Sequence, residues 1–195
     1  MRCFMMLTFQ NITLRPLQEA DFSKLWKLYE PDIFEYMLYK VETEVEFNQW
    51  LQVGVDQMKE NKAIAYVVED TVTRKIVGTT RIYGVDYLNR SCEIGSTFYG
   101  KSYQRTNVNT ACKYLLLNHC FEDLNMLRVQ FKTDEQNITS QKAIERIGAK
   151  REGVLRNERI RSNGMVRNAV LYSIIEKEWA NVKTHLFHLL HKYTC

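Results

Sequence analysis

Ser91-Cys-Glu-Ile-Gly-Ser-Thr-Phe-Tyr-Gly-Lys-Ser-Tyr-Gln-Arg-Thr-Asn-Val-Asn-Thr110 passes from a strand through a polar loop into a helix. Cys92, Ile94, Ser96 and Phe98 alternate with Glu93, Gly95, Thr97 and Tyr99, the two-residue period of a strand. After Gln104-Arg-Thr-Asn-Val-Asn109 the spacing lengthens to that of a helix through Asp123, with Ala111, Leu115, Leu116, His119 and Cys120 available to a core. A loop feeding a helix N-terminus gathers unpaired backbone N–H groups where the helix dipole also favours an anion. A pyrophosphate suits that place, with Gln104 and Arg105 as added side-chain donors and Thr106 as a hydroxyl. The same residue types also serve simply to cap a helix, and the loop by itself leaves both readings open.

Upstream, Ile12-Thr-Leu-Arg-Pro16 reads as an opening strand. Gln18-Glu-Ala-Asp21 starts an amphipathic helix with Phe22, Leu25, Trp26 and Tyr29 on one face, ending near Pro31. A second helix fits Glu44 to Lys59, carrying Val45, Trp50, Leu51, Val55 and Met58. Ala63–Val68 and Ile76–Tyr83 form a hairpin about the polar turn 69–75. Downstream come a short strand (Leu127–Lys132), a helix from Asn137 to Ile147 stopped by Gly148, and two long strands, about Lys150–Arg161 and Met165–Ile175, joined at Ser162-Asn-Gly164. The order is strand, two helices, three strands, helix, strand, helix, two strands. That predicts an α/β architecture: a mixed, mostly antiparallel central sheet with helices on both faces.

A chain of 195 residues suits one domain, 1–195, with a core of about 10–177 and a C-terminal helical extension of about 178–195. The net charge of +4 helps to attract an anion but is too diffuse for a nucleic-acid stripe. Lys150, Arg151, Arg156, Arg159, Arg161 and Arg167, interspersed with glutamates in strand-like sequence, read as a solvated sheet edge rather than a nucleic-acid surface. Cys3, Cys92, Cys112, Cys120 and Cys195 show neither a CxxC pair nor metal spacing, and read as reduced thiols. Met1–Leu7 is too short for a signal h-region and no run approaches a membrane span, so the expectation is a cytoplasmic protein. His185, His188 and His191 recur every three residues, without Cys, Asp or Glu among them. This favours an amphipathic terminal helix, packed on the domain or on a partner such as a second copy in a homodimer, over a metal site.

One more segment completes the pattern: Asn137-Ile-Thr-Ser140-Gln-Lys-Ala143-Ile-Glu-Arg-Ile-Gly148-Ala-Lys-Arg-Glu152-Gly153. With Ile12–Pro16, Ile76-Val-Gly78, Cys92-Glu-Ile-Gly95, Gln104–Asn109 and Arg167-Asn-Ala-Val-Leu-Tyr172-Ser it makes the chain resemble, over nearly its whole length, the Gcn5-related N-acetyltransferase (GNAT) superfamily. Within it the resemblance is to the ribosomal-protein N-terminal (alanine/serine) acetyltransferase-like branch. The resemblance implies the GNAT acyl-CoA N-acyltransferase fold, in which the fourth and fifth strands of this reading splay into a V. It implies acetyl-CoA as cofactor, its pantetheine entering the V like an extra strand and bonded by backbone groups of Phe98 and Tyr99. The loop Gln104, Arg105, Thr106, Asn107, Val108, Asn109 and Thr110 would hold the pyrophosphate, and Asn137 the pantetheine arm. Ser140 matches the position where the branch places a hydroxyl near the thioester sulfur, able to donate a proton to the leaving thiolate.

Acetyl transfer needs a neutral amine, a polarised thioester carbonyl and a protonated leaving group. Glu93, in the Glu-Ile-Gly context, is the first candidate for general base; the alternative is an exposed strand residue paired with a lysine or arginine. Glu158 is the second. No cysteine sits in the loop or in 137–140, so direct attack is expected rather than an acyl-enzyme. By the resemblance, the acceptor would be a protein N-terminus, such as that of a ribosomal protein, or a small-molecule amine. Its cleft would be built by the two N-terminal helices and the 162–165 hairpin. Tyr36 and Tyr39 are expected to line it, while Trp26, Tyr29, Phe34 and Trp50 fit a core face. The superfamily's Gln/Arg-x-x-Gly-x-Gly/Ala loop carries Asn107 and Asn109 here. If Asn107 must replace a glycine of positive φ, it is the least damaging choice but puts affinity in doubt. It therefore leaves open a non-catalytic CoA-binding or ribosome- or RNA-associated module.

Overall fold

The computed structural model describes residues 5–161 and 163–191. Its strands form one eight-stranded sheet in the order β1-β2-β3-β4-β5-β6-β8-β7. The order follows from β1 (Leu7–Phe9), β2 (Ile12–Pro16), β3 (Ala63–Asp70), β4 (Lys75–Asp86), β5 (Ser91–Tyr99), β6 (Arg128–Asp134), β7 (Lys150–Ile160) and β8 (Val166–Ile175). Every neighbouring pair is antiparallel except β5–β6, which is parallel. This is the mixed, mostly antiparallel sheet that the sequence reading expects. A parallel pair needs a crossover, and the helix α3 (Val108–Asn118) supplies it.

The opening of the chain differs from the expectation. Leu7–Phe9 precedes Ile12–Pro16 as a first strand, turning at Gln10 (φ 50°) and Asn11, with Thr8 and Thr13 hydroxyls 3.0 Å apart across the pair. The strands expected fourth and fifth are therefore β5 and β6. The first helix also stops short of Pro31. A 3₁₀ turn, Glu19–Asp21, leads into α1 (Phe22–Trp26), after which Leu28 and Tyr29 N–H groups bond three residues back and tighten the chain into a turn. Tyr29 instead stacks on Trp26 and donates to the Val41 carbonyl at 2.6 Å.

Helix α2 (Glu44–Lys59) has the expected limits because Thr43 and Glu46 form a reciprocal capping box. Thr43→Ala is expected to cost about 1 kcal/mol of stability, read as a shift of the urea midpoint without a change of slope. On one sheet face α1 and α2 bury Phe22, Leu25, Phe34, Phe47, Trp50, Leu51 and Phe98, so Trp50 and Phe34 are core as expected, with Trp26 and Tyr29 packed against them. On the other face lie α3, α4 (Ile138–Arg146) and α5 (Glu176–His191), over Ile94, Leu116, Phe131, Tyr172 and Leu186.

The helix expected to reach Asp123 as α instead widens into a π turn at His119–Asp123. Leu124 N–H reaches back to the His119 carbonyl, and the turn sets Cys120 and Phe121 into the core. Cys92, Cys112 and Cys120 are free and buried; Cys3 and Cys195 lie outside the described residues. In α5, His185 Nε2 lies 2.8 Å from the Arg146 carbonyl and His191 Nδ1 2.8 Å from that of Phe187. Those rings meet backbone rather than one another. Among the described residues no helix is long and apolar enough to cross a membrane.

Candidate active site

Strands β5 and β6 pair only at Ser91↔Arg128, Cys92↔Val129 and Glu93↔Gln130. Beyond Glu93, β5 stays with β4 and β6 with β8, and the two part. This is the expected V, with walls of residues 94–99 and 131–134. The longer wall spans roughly 20 Å at about 3.3 Å per residue. Backbone groups along the parted edges need a partner, and an extended chain bearing amides supplies one as an added strand would.

The β5 wall is not a regular strand. Thr79 faces Phe98 and Arg81 faces Gly95, so Ser96 and Thr97 together oppose Thr80, and Ser96 has φ 47°. This bulge reverses the alternation read from the sequence. Cys92 and Ile94 enter the core under α3, and so does Tyr99, whereas Phe98 turns into the aromatic cluster beneath α2. Glu93 and Phe98 therefore share the α1–α2 face. The bulge is pinned from below, where Lys113 Nζ of α3 donates to Thr97 Oγ1 at 3.0 Å and Thr97 Oγ1 lies 2.7 Å from Thr80 Oγ1. Lys113 Nζ is 6.0 Å from the Phe131 ring on the opposite wall, and burial lowers the pKa of this buried lysine.

Of the alternative reading for Glu93, the pairing with a lysine is present, at Lys132, but the exposure is not. Glu93 is 5% exposed and sits at the closed end of the V. Its Oε1 accepts from the Tyr83 hydroxyl at 2.6 Å and its Oε2 from Gln130 at 2.8 Å, while Lys132 Nζ forms an ion pair with Oε2 at 3.0 Å. Gly95 leaves room for the Tyr83 ring: a Cβ there would come within 3.2 Å of its edge carbons. Burial and the neighbouring Glu93 carboxylate push the Tyr83 phenol well up, which keeps it a proton donor to that carboxylate.

Glu158 is brought to the same place by a second bulge. Leu155 faces Ala169 and Arg159 faces Arg167, so residues 156–158 of β7 oppose Asn168 alone. The Glu158 carboxylate turns inward to Arg167 Nη2 at 3.0 Å, Arg159 Nε at 3.2 Å and Lys132 Nζ at 3.5 Å. Burial would raise its pKa, but Arg167, Lys132 and Arg159 outweigh this and hold it below the usual carboxylate range. The expected solvated basic edge is thus largely ion-paired: Arg159 and Arg167 to Glu158, Arg161 to Asp134, and Lys150 to Glu178.

The polar loop lies beyond the open end of the V. Asn107 has φ −71° and ψ −14°, ordinary right-handed geometry, so the left-handed position anticipated there is absent. The positive φ falls two residues earlier, at Arg105 (φ 59°). The Gln104 amide donates to the Tyr99 carbonyl at 3.2 Å, and the Thr106 hydroxyl donates to the Tyr103 carbonyl at 2.7 Å while accepting from Val108 N–H at 3.3 Å. Both side chains shape the loop, leaving the exposed Arg105 guanidinium and the first-turn N–H groups of Asn109 and Thr110 to face outward partners. Thr110 Oγ1 is buried without a partner among the described residues.

Asn137 caps α4, its Oδ1 accepting from Ser140 N–H at 2.9 Å. Ser140 is half-buried on the first turn of α4, just past the open end of β6. Tyr36 stands near that end too: its hydroxyl pKa is raised by a hydrogen bond to Glu35, with Asp134 and Arg161 within electrostatic reach. Tyr39 is 55% exposed, within electrostatic reach of the buried Arg81. The structure therefore joins Glu93 to Glu158 and groups Ser140 with Asn137, while Ser140 has no contact with either glutamate. Tyr83 and Lys132 escaped the sequence reading. In a strand each looks like an ordinary alternating residue, and only the pairing of β4, β5, β6 and β8 aims them at one carboxylate.

Comparison with known proteins agrees with this fold. The acetyltransferase (GNAT) domain family matches residues 11–150. YdaF of Bacillus subtilis (strain 168), assigned as a ribosomal N-acetyltransferase, is 32% identical over 108 residues, or 55% of this chain and 58% of that protein. A T. thermophilus structure assigned as an acetyltransferase has a TM-score of 0.87 at 30% identity, covering 97% of this chain and 100% of its own. Mycobacterium smegmatis RimJ in complex with CoA-disulfide has a TM-score of 0.76 at 21% identity, covering 91% and 88%, a likeness of fold.

Proposed function

The chain belongs to the acetyltransferase (GNAT) family, and from that premise we propose that it transfers the acetyl group of acetyl-CoA to the primary amine of a protein N-terminus, a ribosomal protein foremost. The observation that carries this reading is the V between β5 and β6, opening toward a loop and helix start of anion-binding form. The likeness to YdaF favours a ribosomal acceptor over a small amine. The donor set fits acetyl-CoA: the parted strand edges for the amides of a pantetheine arm, assigned to backbone groups at Phe98 and Tyr99 although the Tyr99 carbonyl also accepts from Gln104, and N–H groups with Arg105 for a pyrophosphate. Gln104, Thr106, Asn107 and Val108 set the loop's shape. Asn137, with its Oδ1 committed to the cap, offers its amide Nδ2 to the arm. Asn107 gives no support to a binding-only module, because nothing in its backbone calls for glycine.

Acetyl-CoA supplies the acyl group and carries away the electron pair as its thiolate. Glu93, at the closed end of the V and on the face of the two N-terminal helices, takes the proton of the attacking amine directly or through a water. Glu158 stands behind it in the same charge cluster. Ser140, at the head of α4, donates a proton to the departing sulfur. Tyr36 and Tyr39 line the acceptor's approach.

The test is thiol release from acetyl-CoA with peptides beginning in Ala or Ser beside a panel of small amines. Peptide-dependent release is expected; no release with any amine would overturn the proposal. In that assay Ser140→Ala is expected to lower kcat about tenfold, less than the roughly 10²–10⁴ of general-acid effects, because a thiolate leaves readily. An unchanged kcat would remove Ser140 from the reaction.

A further inference from the structure

We propose that Lys132 is a positioning residue, the ion-pair bridge that makes Glu93 and Glu158 one working unit at the closed end of the V. This rests on the proposed acetyl transfer for its kinetic consequence but not for its structural content. Lys132 Nζ lies 3.0 Å from Glu93 Oε2 and 3.5 Å from Glu158 Oε1, with its side chain 17% exposed. It is the one cation among the ion pairs of the described residues that touches both carboxylates.

Glu93 and Glu158 come from β5 and β7, strands separated in the sheet by β6 and β8. They share one cation because the bulge at 156–158 turns Glu158 inward and Lys132 on β6 reaches both ways. The groups facing the two carboxylates are Tyr83 from β4, Gln130 and Lys132 from β6, Arg159 from β7 and Arg167 from β8. Arg159 and Arg167 engage Glu158, so Lys132 is the only full positive charge in contact with Glu93 among the described residues. Take it away and two buried carboxylates remain with cations on one of them alone. Like charges so placed favour uptake of a proton. With Lys132 present, the Glu93 carboxylate is held in one orientation, between Lys132 and the Tyr83 and Gln130 donors.

The test compares wild type with Lys132→Met, which matches the stem's length and apolarity, and with Lys132→Arg. In Lys132→Met the acid limb of the kcat/KM–pH profile is expected to move up by about one to two pH units. The sign follows from the role: activity needs the ionised cluster, and without its bridging cation the cluster stays ionised only at higher pH. Lys132→Arg is expected to restore the limb. A purely structural lysine would lower activity at every pH and leave the limb in place, and that result overturns the proposal.

A second readout needs no turnover. Carbon-13 NMR of the glutamate carboxyls, with the Glu158 resonance assigned by its loss in Glu158→Gln, should show Glu158 titrating at higher pH in Lys132→Met than in wild type. An identical titration overturns the bridge. If wild type releases no thiol with any amine, acetyl transfer falls while this titration still decides the bridge.

Discussion

Glu93→Gln is expected to lower kcat for acetyl transfer about a hundredfold, while the protein remains folded. A positioned general base contributes roughly 10²–10⁴ in rate, so a hundredfold loss, or about 2.7 kcal/mol of barrier, is the lower bound of that effect. Glutamine keeps the shape and still accepts from the Tyr83 hydroxyl, which approaches Glu93 at 2.6 Å. What it loses is the charge facing Lys132 at 3.0 Å and the capacity to take a proton. Lys132 retains Glu158 at 3.5 Å, so the buried cation is not stranded. The measurement is a steady-state profile with peptide and with acetyl-CoA varied in turn, beside a thermal melt. A kcat within threefold of wild type, with the melt unchanged, would show that Glu93 is a structural ion-pair partner and that the base lies elsewhere.

Gly78→Ala is expected to cost about 3 kcal/mol of stability and to weaken CoA binding in the fraction that folds. Gly78 of β4 lies opposite Tyr99, at the end of the wall that β5 presents to the V. A Cβ there would overlap the Phe98 carbonyl oxygen and stand 2.8 Å from Tyr99 Cδ1 and 3.0 Å from Tyr99 Cα. The overlap is with backbone, which cannot swing aside like a long side chain, so relief requires the strand itself to move. Overpacking of this kind costs about 1–3 kcal/mol and sometimes more. The displaced backbone, at Phe98 and Tyr99, is that assigned to the pantetheine arm. Urea unfolding measures the first effect and calorimetric titration with CoA the second. Unaltered stability would mean that β4 and β5 separate more easily than their pairing implies.

The positions of most elements are legible in the residues because local signals agree with tertiary demands there. Thr43 and Glu46 mark the start of α2 by themselves, and Ser91 to Tyr99 carries a strand's composition throughout. Local signals fail where packing overrides them. The alternation of β5 breaks at Ser96–Thr97 because a bulge inserts one residue, which no pattern of apolar side chains announces. Similarly, α1 ends at Trp26 although the apolar face continues to Tyr29, because Tyr29 gains more by stacking and by bonding the Val41 carbonyl. Asn107 misled for a related reason: a glycine-rich loop implies positive φ at the glycine positions, whereas this loop places it at Arg105.

From sequence alone came the class of sheet and the passage from strand through polar loop into helix, while the candidate carboxylates came with the family resemblance. The sheet class and the loop-to-helix passage depend on short-range periodicity, capping and turn chemistry, which a dozen neighbouring residues encode. Tertiary structure decided what surrounds Glu93. Tyr83, Gln130, Lys132 and Glu158 lie 10, 37, 39 and 65 positions away along the chain, and their convergence depends on sheet order and on two bulges. A carboxylate's character is set by the donors and charges within a few ångströms of it. Those neighbours are fixed by strand pairing, not by the residues beside Glu93 in the chain.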